Sequence, residues 1–470
     1  MEFFDRAKEK YFLDGLRHKS EKQMIVVYGR RRIGKTMLLK HVYPYAKYLF
    51  VDTRSKETLL KDFSEHIFDG VFGSWEAFFK HLLNNNDIVI IDEFQNFLRV
   101  DNSVFSILQK VWDGLDSKVL LILCGSYTGM MKHIFLDYKE PLFGRSAYQI
   151  NLKEFDFIET AKMLNFFGYD TDEIIDRYSV FGGIPKYLWY LKTKEEFKIQ
   201  IKNLFFDELA PLREEGKNLL IGEFGSEHRG YFSILEKIGC FDKEIGEIVD
   251  KTGMERTKVM KYISELADYY GIIEKVENKL CVSKRGIRYR IKDNFLNFWF
   301  KYIYSNQDKI EFNPENAFNF AVKNINEFIG RIFEEIIKSI IPNFYKAGLI
   351  PFLPETIGKH WGKIPHSKDV YEIDIVGESK DALLIAECKW RNKKTSIKDM
   401  DNFLNKCTYI NDKRKIIKVF ISKSGFENNV FSDKNTFDII KIDIKGVLTF
   451  FLKKILLLYV YSNYHILLFK

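Results

Sequence analysis

Met24-Ile-Val-Val-Tyr28-Gly29-Arg-Arg-Arg-Ile-Gly34-Lys35-Thr36 is the stretch that decides the fold. An apolar, β-rich run enters a loop of pattern GxxxxGK[ST], and Met37-Leu-Leu-Lys40 leaves it with helical character. A strand, a glycine-bearing loop and a helix start in that order make a P-loop. The glycines let backbone N–H groups turn inward on phosphates, and the helix N-terminus adds its positive end. Gly29, Arg30, Arg31, Arg32, Ile33 and Gly34 form the cradle, and Lys35 is placed to reach the β and γ phosphates of ATP.

A P-loop needs a carboxylate at the end of a second strand. Asp87-Ile-Val-Ile-Ile-Asp92-Glu93-Phe94 supplies it. Four β-branched residues fit a strand buried on both faces, and Asp92 lies at its C-terminal end, where ligands sit in open α/β sheets. Thr36 and Asp92 are the expected Mg²⁺ ligands, Asp92 through water. Glu93 is the expected group that polarises attacking water. A third strand, Val119-Leu-Leu-Ile-Leu-Cys-Gly125-Ser126, ends in a small polar residue suited either to reading the γ-phosphate or only to a turn.

The 470 residues correspond to about three domains. With 46% hydrophobic and 29% charged residues, the chain can bury ordinary cores and is not disordered. Its net charge of 73 − 65 = +8 permits contact with nucleic acid without arguing for it. The five cysteines are scattered singly, which speaks against a zinc ribbon and a disulfide framework. The opening MEFFDRAKEK is charged within its first residues and has no apolar core, so a signal peptide is not expected. No apolar run reaches the roughly 18 residues of a spanning helix, and a cytoplasmic location is expected.

Phe4-Asp-Arg6, GRRRIGKT, IIDEF, CGSY, Pro141-Leu-Phe-Gly-Arg145 and Val180-Phe-Gly-Gly-Ile-Pro-Lys-Tyr-Leu188 follow one another in order. Over about residues 1–225 this order resembles the archaeal P-loop ATPase family, an AAA-related group close to the STAND NTPases. The resemblance implies that Ser126 senses the γ-phosphate and that Arg145 acts as a sensor or arginine finger. It also implies that the GGIP segment closes a helical lid over the nucleotide. A surface role for Arg145 and a plain helix break at Gly-Gly are the competing readings.

Residues 226–305 read as a winged helix-turn-helix. Tyr231 onward is helical, Ile245, Ile248 and Val249 form a short second face, and Met254–Tyr270 is a longer amphipathic helix. Two strand-like runs follow, 271–276 and 279–282, as a hairpin wing. Arg256, Lys258 and Lys261 on the presumed recognition helix suit either DNA phosphates or an ordinary solvated face. The aromatic run Asn294-Phe-Leu-Asn-Phe-Trp-Phe300 is read as core at helical spacing rather than as a base-stacking platform.

Residues 306–446 carry a third constellation. Tyr371-Glu-Ile-Asp374-Ile-Val and Ala382-Leu-Leu-Ile-Ala-Glu387-Cys-Lys389 read as hairpin partners, and Glu387 and Lys389 project from one strand face. Asp374 and Glu387 offer hard oxygens to a second Mg²⁺, which would activate water at a phosphodiester, with Lys389 positioning or deprotonating that water. Glu334 sits on an amphipathic helix upstream. Helix Glu334, then Asp374, then Glu387-x-Lys389 resembles the PD-(D/E)xK nuclease fold, with Ile373 in place of the proline. A salt-bridged hairpin without metal is the alternative. The apolar tail, 447–470, is read as a helix packed on the nuclease-like domain, with a membrane-surface segment and an irregular extension unrelated to the fold as the alternatives.

The expected fold class is therefore α/β: a P-loop NTPase with an AAA-like parallel sheet and helical lid, then a winged helix, then a restriction-endonuclease-like domain. The expected function is Mg²⁺-dependent ATP hydrolysis serving action on DNA. The alternative is a STAND-like switch whose C-terminal domain binds without cutting. ATP is the expected partner, DNA and a second copy of the chain are further candidates, and a membrane is not expected.

Overall fold

The computed structural model describes residues 4, 6–18, 20–67, 70–225, 228–239, 241–281 and 286–451. They form two compact units. The first takes the described residues up to 154 with 184–186 and 219–225, and the second takes 155–183, 187–218 and the described residues from 228 to 451.

The first unit is built on five parallel strands, β1 (Gln23–Tyr28), β2 (Lys47–Phe50), β3 (Ile88–Asp92), β4 (Leu120–Gly125) and β5 (Tyr148–Asn151), in the order β2-β3-β4-β1-β5. The sequence explains this sheet. Runs such as Ile-Val-Ile-Ile and Leu-Leu-Ile-Leu have no polar face, so both sides must be covered. Helices cover them: Trp75, Phe78, Phe79, Phe94 and Phe105 pack on one side, and Leu13, Leu38, Leu39 and Val42 on the other. Since β4 lies between β1 and β3, its end at Gly125 and Ser126 falls between the P-loop and Asp92.

The second unit begins with helices Phe157–Phe166 and Thr171–Phe181, each started by an aspartate in a capping box. The expected boundary at 225 does not follow this packing. Segments 155–183 and 187–218, expected as a lid of the ATPase domain, belong to the second unit, because Phe181, Phe205, Phe295 and Phe298 stack in one aromatic core. Phe295, Phe298, Trp299 and Phe300 are fully buried, as the core reading of that run requires.

Three helices, His228–Ile238, Ile245–Thr252 and Arg256–Ser264, stand beside a small sheet of β6 (Lys243–Glu244), β7 (Ile273–Val276) and β8 (Arg288–Ile291) in the order β6-β8-β7. The hairpin partner of β7 is β8 and not the expected strand at 279–282. Residues 278 and 279 turn away to another sheet, where Lys279 N donates to Lys359 O at 2.8 Å and Leu280 takes φ 61°. Residue 282 lies outside the described residues.

A long helix, Pro314–Lys346, leads into the second large sheet. This sheet holds β9 (Thr356–Lys363), β10 (Val370–Glu378), β11 (Ala382–Lys389), β12 (Lys415–Ser422) and β13 (Ile439–Asp443). Its order is β13-β12-β11-β10-β9, antiparallel across β9-β10-β11 and parallel across β11-β12-β13. Helix Ile397–Thr408 makes the crossover from β11 to β12 and packs Met400 and Phe403 on the sheet. Residues 444–451 are helical, and the rest of the apolar tail lies outside the described residues. Among the described residues no helix is long and apolar enough to cross a membrane.

Candidate functional site

At the end of β1 the chain curls with Gly29 at φ 152°, Arg32 at φ 71° and Gly34 at φ 91°. Gly29 is required on two grounds. Its φ is one side chains rarely adopt, and a Cβ there would stand 2.2 Å from Leu152 O. Helix Lys35–Val42 then starts directly at the lysine. Lys35 is buried, and its Nζ donates to Gly29 O at 2.8 Å and Arg30 O at 2.9 Å. Burial pulls the lysine below its usual range, against the nearby carboxylates of Glu93, Asp92 and Glu223. Arg6 is also buried and donates to Ile33 O at 3.2 Å, so the upstream motif braces the loop from within.

Asp92 ends β3 where the sequence places it. Thr36 Oγ1 donates to Asp92 Oδ2 at 2.6 Å, and Tyr48 OH donates to the same oxygen at 2.8 Å. Asp92 Oδ1 accepts from Glu93 N at 2.9 Å. Burial, then the Asp92 charge, pushes the Tyr48 phenol up, so it stays a donor. Glu93 is held at φ 53°, a strained conformation for a side-chain-bearing residue. Ser126 Oγ donates to Glu93 Oε1, and Gln95 Nε2 donates to Glu93 Oε2 at 2.6 Å.

Lys35, Thr36, Asp92, Glu93 and Ser126 thus converge. Arg31 lies over the Tyr127 ring at 4.8 Å, next to Ser126. Arg145 does not join them. Its guanidinium makes a two-point pair with Asp113, at 3.2 and 3.0 Å, and donates to Phe143 O. The sequence reading missed Glu223. Its Oε1 accepts from Thr128 N at 3.2 Å, while its Oε2 is shut off from solvent and makes no hydrogen bond among the described residues. Burial pushes its carboxyl up to about 7, against the Thr128 amide and Arg30. No local pattern marks it, because only the tertiary return of helix Glu215–Phe224 brings it to the loop.

In the second unit the register Ile375↔Ala386 continues to place Asp374 opposite Glu387. The β9-β10 register shifts between Ile373 and Val376, which is where Asp374 sits. Bulges of this kind re-aim side chains near functional sites. Asp374 Oδ2 accepts from Cys388 N at 2.8 Å. Burial, followed by the charges of Glu334 and Glu387, pushes Asp374 well above the usual carboxylate range. Glu387 is buried. It accepts from Lys389 Nζ at 2.6 Å and, with both oxygens, from Lys406 Nζ at 2.8 Å each. Glu334 accepts from Lys359 Nζ at 2.6 Å. Lys359 and Lys406 are the members of this cluster that the sequence reading did not name.

Among the described residues no group of three or more His, Cys, Asp or Glu is arranged to hold a metal. A cation at this point would rest on Asp374 and Glu387 alone. Two carboxylates with water are a normal Mg²⁺ set, and Lys406 would have to give way.

Residues 3–191 match an ATPase domain predominantly from Archaea, and residues 299–400 match a family of archaea bacterial proteins of unknown function. The uncharacterized protein MJECL04 of Methanocaldococcus jannaschii is 30% identical over 415 residues, 83% of this chain and 88% of that protein. Among solved structures, the Walker-type ATPase PABY2304 of Pyrococcus abyssi is 20% identical. It covers 63% of this chain and 96% of its own, with a TM-score of 0.47. The ORC2 protein of Aeropyrum pernix, in ADPNP–ADP complexes, is 14% identical over 68% of this chain and 96% of its own, with a TM-score of 0.45. The parallel sheet with its P-loop, the match over 3–191 and the long alignment with MJECL04 together show that the chain belongs to the archaeal P-loop ATPase family.

Proposed function

We propose that the protein is a Mg²⁺-dependent ATPase whose second unit acts on DNA. The observation that carries the first half is the convergence of Lys35, Thr36, Asp92 and Glu93 at the ends of β1 and β3. Lys35 neutralises the β and γ phosphates, and the loop N–H groups bind their oxygens. The Thr36 hydroxyl and the Asp92 carboxylate are hard oxygen donors already within one hydrogen bond of each other, so they fit Mg²⁺. When bound, Mg²⁺ supplies charge neutralisation at the phosphates. Glu93 accepts a proton from water, and Ser126 reads the terminal phosphate from the adjacent strand.

The DNA half rests on two arrangements. The helices and small sheet of 228–291 support the winged-helix reading, with Arg256, Lys258 and Lys261 exposed on the third helix. The long helix bearing Glu334 and the hairpin that opposes Asp374 to Glu387-x-Lys389 support the PD-(D/E)xK reading. One observation favours the second reading, a nucleotide-controlled switch that binds without cutting: both oxygens of Glu387 are held by lysines. The test is one preparation assayed for phosphate release and for cleavage of single-stranded, duplex and branched DNA with Mg²⁺, beside Asp374→Ala. Cleavage lost in the variant supports the nuclease, and DNA binding without cleavage supports the switch.

A further inference from the structure

Glu223 is not used by the chemistry described above. Four observations set it apart. It is the penultimate residue of helix Glu215–Phe224, where the chain returns to the first unit. Its Oε1 caps the N–H of Thr128, two residues after Ser126. Its Oε2 is enclosed and has no hydrogen-bond partner among the described residues. The cations whose charge reaches it are Arg30 and Lys35, both in the phosphate loop. An enclosed carboxylate oxygen with no donor is costly, and the Thr128 and Gly129 amides and the loop cations Arg30 and Lys35 offset only part of that cost.

We infer that Glu223 is a built-in counter-anion of the phosphate loop, which a nucleotide triphosphate must neutralise or displace as it takes Arg30 and Lys35. The inference rests on the nucleotide reading of the P-loop. The incoming phosphates carry the same sign of charge as Glu223 and compete for the same cations. Accommodating both anions requires that Glu223 take up a proton or swing away. The carboxylate therefore weakens nucleotide affinity, most strongly for the most highly charged nucleotide.

A proton taken up on binding has a definite pH signature. With the free carboxyl at about 7, Glu223 is already neutral well below that pH, and nucleotide affinity is flat there. Above it the group is ionised before binding, so affinity falls by about tenfold per pH unit until the bound-state value is reached. The charged and titratable groups facing this region include Lys35, which burial lowers, Tyr127, which burial raises, and the side chains of Arg30, Arg31, Glu93 and Asp92. Deprotonation of Lys35 would also weaken binding as pH rises, so the Glu223 variant must separate the two.

The experiment is calorimetric titration of the full chain with ATP and with ADP, at pH 6.5 and 8, in two buffers of different ionisation enthalpy. Wild type is compared with Glu223→Gln and Glu223→Ala. At pH 8 the expected result is ATP binding about tenfold tighter in Glu223→Gln, with a smaller gain for ADP, and convergence with wild type at pH 6.5. Wild type takes up a proton on binding ATP at pH 8, and the glutamine variant takes up less. The wild-type proton count stands even if a variant folds poorly. ATP binding in wild type with equal or weaker binding by Glu223→Gln overturns the inference alone, as does an identical proton count. No ATP binding by wild type at any pH overturns the P-loop reading and this inference with it.

Discussion

The hydroxyl of Thr36 donates to Asp92 Oδ2 at 2.6 Å across a sequence separation of 56 residues, tying the start of the P-loop helix to the end of β3. That bond fixes the distance between the two oxygens that would share Mg²⁺. It also explains why Thr36→Val should be worse than its size suggests. The variant keeps the shape, loses a ligand and leaves Asp92 with Tyr48 and the Glu93 amide. Mg²⁺-dependent tightening of ATP binding, measured by calorimetry with and without chelator, should largely disappear in Thr36→Val.

Glu93→Gln should bind ATP as wild type does and release phosphate roughly 10²- to 10⁴-fold more slowly, the range for loss of a general base. The amide can still accept from Ser126. Steady-state phosphate release against nucleotide affinity separates the two effects. Wild-type turnover would remove Glu93 from the mechanism.

Gly29→Ala should destabilise the first unit and impair nucleotide binding together. The backbone strain alone is of order 1–3 kcal/mol, and the new methyl would collide with Leu152 O. Thermal melting in the absence of nucleotide is the check. An unchanged melting temperature would show that the loop relaxes freely.

Much of this site can be read in the sequence, for physical reasons. The P-loop is local: its glycines, lysine and threonine are adjacent, and the strand and helix on either side are marked by their own patterns. Asp92 and Ser126 are legible because strand ends in a parallel sheet share one edge. Asp374, Glu387 and Lys389 follow from the two-residue alternation of a hairpin. Glu223, Lys406 and Lys359 come from elements whose approach depends on tertiary packing, and a charged residue on a helix or strand carries no mark of where its head will lie. The wing differs from the expectation because Lys279-Leu-Cys has strand composition, yet Asn278 and Lys279 pair with Lys359 at the edge of β9 and not with β7. Arg145 has motif context, but its partner Asp113 lies at the end of a separate helix and could not be inferred.

Asp374→Asn should raise the stability of the metal-free protein at neutral pH. The carboxyl is raised in the folded state, so between the unfolded value of about 3.9 and the folded one the native chain holds a proton that the unfolded chain has released. Stability from this group therefore falls as pH rises through that window. The amide removes the penalty, and with it the main Mg²⁺ donor of this cluster. Melting curves at pH 4 and pH 7.5, with and without Mg²⁺, should show a gain for the variant at pH 7.5 only, and no Mg²⁺ shift from this cluster. Equal melting of both proteins at pH 7.5 would contradict the crowding of Asp374 by Glu334 and Glu387.

On the proposed function, the loop at 29–36 binds ATP and serves its hydrolysis through Lys35. The most direct measurement of this role is ATP affinity of wild type and Lys35→Ala, by calorimetry on proteins shown to melt alike. Loss of a buried, charged hydrogen-bonding group is worth about 1.5–3 kcal/mol, so affinity should fall roughly tenfold to 150-fold, with turnover falling alongside. Equal affinity and turnover in the two proteins would contradict the assignment of the P-loop.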